Sequence, residues 1–406
     1  MCFVTVPHPL GMISKEEVNA KVDTAFDDIV KAATAWTPSK EKQDAQVKPY
    51  PAKRFKFSGT YADGNDMFQK RKWSLSLPIV PPTVDKVAAM LKGTKRNPAE
   101  VLWVVPPRQG MLTVELVAAL GVMAGAKPEH MPLLIATVEA MADPVAAWRG
   151  PTTTTAATVP VFFISGPIIE KLKLNPGTGT AGGENPVTNA LGYFVNLVGD
   201  VVGGSVPPNF DKSTHGSSAD LVAMVFTENA KENPWKTTYA EEAGFKPSDS
   251  IVTHFSAYLG NANIDHDSKT GQRLLTTLST GLLGSASGLA SCLADYDATY
   301  AINNKVSFAF IVLCPEHAAT IAKDFPDQRA ARDFMRETAA MPYKFYSQET
   351  CVPGKDFGPY DENTFIPRFK KTESIKFFVS GGPGKQSQIW VPFPQVFKPV
   401  SKKIAE

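Results

Sequence analysis

"VPVFFIS" (residues 159–165) is the stretch on which the fold turns. It is far too short to cross a bilayer, and it is too continuously apolar to be one face of an amphipathic helix. Rich in β-branched and aromatic side chains, it reads as a strand buried on both faces. Such a strand needs layers above and below it, and the flanking sequence supplies them as helices. Thr113 caps "VELVAALGVMAGA", Pro128 opens "EHMPLLIATVEAMA", and Thr83 caps the helix after "LPIVPP". "VLWVVPP" (101–107) reads as a further buried strand. The same grammar returns downstream as "SFAFIVLC" (307–314), the helical "PEHAATIAKDF" and "RAARDFMRETAA", and "SIKFFVSGGPG" (374–384). This alternation predicts an α/β fold of two layered units with mostly buried sheets, 74–275 and 276–406, joined near residues 270 to 300.

Residues 1–73 read differently. A strand is expected at 3–6. Ser14 and Glu17 form a capping-box pattern for a helix from about 15 to 35, along which Val18, Val22, Phe26, Ile29 and Val30 recur at helical spacing. The polar, basic segment 37–73 reads as an extended arm or linker, either a solvated connector or, given its interleaved Tyr50, Phe55, Phe57 and Tyr61, an arm that docks on a subunit.

Composition narrows the function classes. The chain has 406 residues, 42 Lys plus Arg against 40 Asp plus Glu, and a formal charge of +2, which gives no field suited to nucleic acid. Cys2, Cys292, Cys314 and Cys351 are scattered without metal-type spacing, which argues for a reduced compartment, the cytoplasm. No apolar run reaches membrane-spanning length, so neither export nor a membrane partner is expected.

Two glycine-rich stretches could carry binding. In "LNPGTGTAGGENP" (174–186), Gly177, Gly179, Gly182 and Gly183 precede a helix that Asn185 caps and Pro186 opens, so their amides could hold a carboxylate or phosphate. In "VSGGPGKQS" (379–387), Gly381, Gly382 and Gly384 follow a strand, and Lys385 and Ser387 add a cation and a hydroxyl. Ordinary turns are the alternative for both.

The polar middle brings together His215, Glu228, Glu232, His254, Asp265 and His266, and His317 follows in "LCPEHAATIA" (313–322). Imidazole beside carboxylate suits general acid/base work. The same residue types bind metal, but no HExxH or similar pair occurs, and no cofactor is legible. Cys314, closing an apolar strand at a helix start, is either a thiol of lowered pKa or simply core.

Taken in order, "VPHPLGMISKEEVNAKVDTAFDDIV", "LPIVPPTVDKVAAML", "VPPRQGMLTVELVAALGVMAGAKPEHMPLL", "TENAKENPW", "NIDHDSKTGQRLL", "PEHAATIAKD" and "SGGPGKQS" resemble the bacterial UGSC (seleno)protein family over nearly the whole chain. That family is named for a selenocysteine or cysteine followed by Gly-Ser-Cys in an N-terminal α/β region. This sequence begins at "VPHPLG", where that region would be ending, and Cys292 in "GLASC" does not reproduce the motif. The glycine loop also departs from the family in carrying Glu184 and no basic residue. The resemblance implies a second, smaller subunit that supplies the absent region and pairs with residues 3–6 in a hetero-oligomer. The expected function is that of an enzyme subunit acting on a small, anionic organic molecule. The chemistry is an acid/base lyase or hydratase step, or reductive thiol-dependent cleavage with the partner. A non-catalytic scaffold and a metal-dependent hydrolase are the alternatives.

Overall fold

All eight residues of the strand Thr158–Ser165 are buried, and their alternation sets the architecture. Val159, Val161 and Phe163 face a second sheet, while Phe162 and Ile164 face helices. The computed structural model describes residues 13–35, 50–207, 215–258, 260–284, 308–346, 361–393 and 398–405, together with Val4, Val6 and Val396. Most of the expected opening strand and residues 37–49 of the expected arm lie outside these.

Two compact units are present, Met1–Lys48 and Pro49–Glu406. The first contains the helix Lys15–Thr34, started as expected by reciprocal hydrogen bonds between Ser14 and Glu17. Everything that follows concerns the second.

Its strands among the described residues are β1 (Val101–Val105), β2 (Gly110–Thr113), β3 (Thr158–Ser165), β4 (Met224–Thr227), β5 (Ile251–Tyr258), β6 (Asn261–Ile264), β7 (Ala309–Leu313), β8 (Ala340–Pro342), β9 (Phe365–Pro367), β10 (Ile375–Val379), β11 (Gln386–Trp390) and β12 (Val400–Lys403). One four-stranded sheet runs β12-β5-β3-β4 and the other β10-β7-β11-β6. Each holds one parallel pair, β3 with β4 and β7 with β10, and is otherwise antiparallel.

The sheets pack face to face through aromatic side chains. Phe163 stacks on Phe310 at 4.4 Å between ring centroids and meets Phe378 edge-on at 4.8 Å. Helices Val114–Met123, Met131–Ala142 and Pro186–Leu197 cover the outer face of the first sheet, and Gly271–Gly284, Pro315–Asp324 and Gln328–Thr338 cover the second. The result is a mixed α/β fold of four layers: helix, sheet, sheet, helix. Both parallel pairs are joined by helical crossovers, so the carboxyl ends of β3, β4, β7 and β10 are where a ligand crevice is expected. No helix among the described residues is long and apolar enough to cross a membrane.

Several expectations are corrected. "VLWVVPP" is not a buried core strand: β1 pairs only with β2, and of its five residues only Val105 is buried. The extended arm contains a helix, Tyr61–Lys70, started by a Thr60–Asp63 capping box that the polar composition had outweighed. His254, grouped by sequence with the polar middle, sits instead in the buried strand β5. Asp249 and Ser250 turn the chain into that strand so tightly that a Cβ at Gly166 would lie 2.2 Å from the Asp249 carbonyl.

Candidate functional site

The two sheets meet at the carboxyl ends of their parallel strands. Glu228, just past β4, bridges to Ser380, just past β10. The Glu228 amide donates to the Ile164 carbonyl (2.9 Å), that of Asn229 to Val379 (2.8 Å), and that of Ser380 to Leu313 (3.0 Å). Strand ends from both sheets are therefore linked in the order β3, β4, β10, β7.

Both glycine loops fold onto this junction. The Gly381 amide donates to the Pro176 carbonyl (2.8 Å), and Asn229 Nδ2 donates to the Gly381 carbonyl (3.1 Å). Thr180 Oγ1 accepts from the Thr227 amide (3.1 Å), and Ser380 Oγ donates to the Thr227 carbonyl (2.7 Å). Gly381 has φ 84°, a left-handed turn that costs glycine nothing. At Gly382 the loops touch backbone to side chain: an added Cβ would lie 2.1 Å from Thr178 Oγ1 and 2.9 Å from its amide nitrogen. A Gly382→Ala protein is expected to lose about 1–3 kcal/mol in urea unfolding as the loops are forced apart. Unchanged stability would show that they are not in contact.

Asn185 occupies the N-cap position of Pro186–Leu197, but its side chain makes no cap hydrogen bond. Buried at 1% exposure, it turns back and donates to the Thr180 and Asn175 carbonyls, bracing the loop. Gly177 and Gly182 spend their amides on Asn175 Oδ1 and the Gly179 carbonyl, while the Gly183 carbonyl accepts from Asn189. In the second loop the Gly384 and Lys385 amides both donate to Glu316 Oε2, at 2.7 and 3.0 Å, and Lys385 Nζ donates to the His266 carbonyl. A carboxylate thus sits in that nest, and it is the chain's own.

Of the titratable candidates, Glu228 is the one placed at the junction with unspent capacity. It is 2% exposed, Oε1 accepts from the Tyr239 amide (2.6 Å), and Oε2 is buried without a hydrogen-bond partner. Burial pushes its pKa up to about 7, against the opposing pull of the Tyr239 amide and of the nearby Ser165 hydroxyl. The Ser165 hydroxyl is itself buried and lies outside hydrogen-bonding geometry.

The remaining candidates sit elsewhere. His254 is fully buried in the helix-facing core, stacked on Phe162 at 4.4 Å, with Nδ1 at 3.1 Å from the Val161 carbonyl. Burial lowers its pKa to about 3. The carboxylate of Asp265 is fully engaged by the Asp267 and Ser268 amides and the Ser268 and Thr277 hydroxyls. Burial opposes it, but these bonds hold the pKa down at about 2. Such a group braces a turn. His215, Glu232 and His266 are exposed side chains.

His317 is buried with both nitrogens occupied: Nδ1 lies 2.8 Å from Ser387 Oγ and Nε2 lies 3.1 Å from the Asp265 carbonyl. Burial alone would push it down, yet the neighbouring Cys314 sulfur and the Asp265 carbonyl bring it above its ordinary value. The same pairing, working against burial, holds the Cys314 thiol below its ordinary value. Cys314 itself is 5% exposed at the end of β7, and the other three cysteines lie outside the described residues.

The junction therefore unites "TEN" (227–229) with both glycine loops, and "IDHD" (264–267) joins through Lys385 and His317. "THG" (214–216) is not brought in, and Thr214 lies outside the described residues. No cluster of three or more His, Cys, Asp or Glu able to hold a metal ion occurs among the described residues. Ser165, Thr180, Ser380 and Tyr239 also belong to the junction and have no motif of their own. A polar residue closing a buried apolar run, as in "VFFIS" and "KFFVS", was the available signal. No protein-family model matches the chain, and no curated protein is measurably similar to it.

Proposed function

We propose that the chain is an enzyme, or the catalytic subunit of one, that moves a proton at Glu228 during lyase- or hydratase-type chemistry on a small anionic organic molecule. The observation that carries this reading is Glu228 Oε2, a buried, unpartnered carboxyl oxygen with a pKa near neutrality where two glycine loops meet. An acid of this strength gives and takes a proton at cellular pH, and a buried oxygen without a partner is the atom a substrate would complete. The amides of Gly177, Gly182, Gly381, Gly384 and Lys385 are already taken by the chain, so the anionic end would be held by other groups; the cytoplasm is its proposed location.

A second reading is favoured by the Cys314–His317 pairing: reductive, thiol-dependent cleavage together with a partner subunit of the UGSC type. Incubation of the purified chain with a panel of hydroxy acids, following the absorbance of the conjugated enoate, tests the first. Glu228→Gln is expected to lower turnover by at least about a hundredfold with the fold intact. Equal turnover in the variant would remove Glu228 from the chemistry. Activity that needs a co-expressed partner and is abolished by Cys314→Ser would favour the second reading. Inactivity in every combination would leave the chain a scaffold.

A further inference from the structure

A cavity of about 560 Å3 opens beside the starts of β10 and β12, bordered also by the short helix Tyr239–Glu242, and no glycine-loop residue lines it. That volume falls within the range of roughly 300–1,000 Å3 usual for small-molecule sites. Its charges do not cancel evenly. Glu242 is held by Arg332 (2.6 Å) and Lys376 (3.1 Å), Asp143 by Lys402 (2.7 Å), and Glu373 by Arg329. Every carboxylate on the wall is thus neutralised by a cation of the chain. Lys398, exposed on the same wall, has no carboxylate within ion-pair distance among the described residues, so the unbalanced charge is positive.

Tyr239 adds a donor. It is 4% exposed, with its ring against Phe310 and Phe378, and its hydroxyl makes no hydrogen bond among the described residues although the residue borders the cavity. The hydroxyl is not among the sealed, unpartnered polar atoms, so it is a donor open to solvent. Burial raises its pKa, so it remains a donor across the accessible range. The rest of the wall offers apolar surface, chiefly Val145, Phe245 and Phe308.

We propose that this cavity binds a small organic acid, its carboxylate shared by the Lys398 ammonium and the Tyr239 hydroxyl and its apolar body laid against Phe245, Phe308 and Val145. The proposal does not depend on proton transfer at Glu228, although the amide of Tyr239 donates to that carboxylate.

The test is calorimetric titration of the full chain with 4-phenylbutyrate and, as a charge-reversed match, 4-phenylbutylamine. The acid is expected to bind saturably at one site and roughly tenfold or more tighter than the amine. Lys398→Gln, an exposed change that leaves the fold alone, should weaken the acid by roughly tenfold. Tyr239→Phe should weaken it several-fold. Equal affinity for acid and amine, absence of saturable binding by the acid, or undiminished binding in Lys398→Gln would each overturn the proposal.

Discussion

Glu228→Gln is expected to be more stable than its parent in alkaline solution, by about 3 kcal/mol at about pH 9, and equal to it at about pH 4. The unfolded carboxyl gives up its proton near 4.5 and the folded one only near 7. Between those values the native state holds the extra proton, so stability that is complete below 4.5 is lost as pH rises through 7. The glutamine amide keeps the shape of the protonated side chain and has nothing to ionise. Urea unfolding of both proteins across the pH range measures the difference directly. A constant offset would mean that Glu228 titrates in the folded protein as it does in the unfolded one. Gain of stability with loss of turnover is the behaviour expected where an uncomfortable buried group is kept for its chemistry.

His254 carries a larger pH dependence than Glu228, of opposite sign. The unfolded imidazole binds a proton near 6.5, the native one only near 3, because charging it would bury a cation against Phe162 and Trp148. Stability complete above 6.5 is therefore lost as pH falls toward 3, by about 1.4 kcal/mol per pH unit and about 5 kcal/mol in all. A His254→Leu protein, close to it in volume and unable to protonate, should lack this loss and outlast the parent in acid. Between 4.5 and 6.5 the Glu228 and His254 slopes oppose each other in the parent, so each variant uncovers the slope of the other residue. Parallel acid unfolding of His254→Leu and parent would refute the burial assignment of this imidazole.

The layers were legible wherever an apolar run had one plain period. "VPVFFIS", "FIVL" and "IKFFV" became β3, β7 and β10, and the caps at Ser14 and Thr113 hold their helices through side-chain hydrogen bonds. The antiparallel strands were not legible. β5 places Thr253, His254 and Ser256 among its core residues, and β6 and β12 read as "NANI" and "VSKK", so their polar letters suggested loops. What makes them strands is pairing with β3, β11 and β5, a property of distant partners rather than of local sequence.

The site was legible in kind and not in detail. Glutamate, histidine and aspartate of the polar middle looked equivalent by type. Glu228 differs from Glu232 only because it falls at a strand end where two sheets join, four residues before a surface turn. The contact between the glycine loops joins residues as far apart as Thr180 and Ser380, 200 positions along the chain, which no local pattern encodes. His254 misled because its partners are the rings across the sheet, and sequence proximity to Asp265 says nothing of which face a side chain takes.

The crossing from β11 to β12 bears on how the molecule is made. Pro392 leaves the second sheet to bridge Ala257, and β12 then lines the far edge of β5 in the first. A nascent polypeptide emerging from the ribosome therefore cannot finish its earlier sheet until residues 400–403 are out of the exit tunnel, after the last strand of the later one, Gln386–Trp390. Until then the edge of β5 is a bare row of amides and carbonyls, open to pairing with a wrong strand.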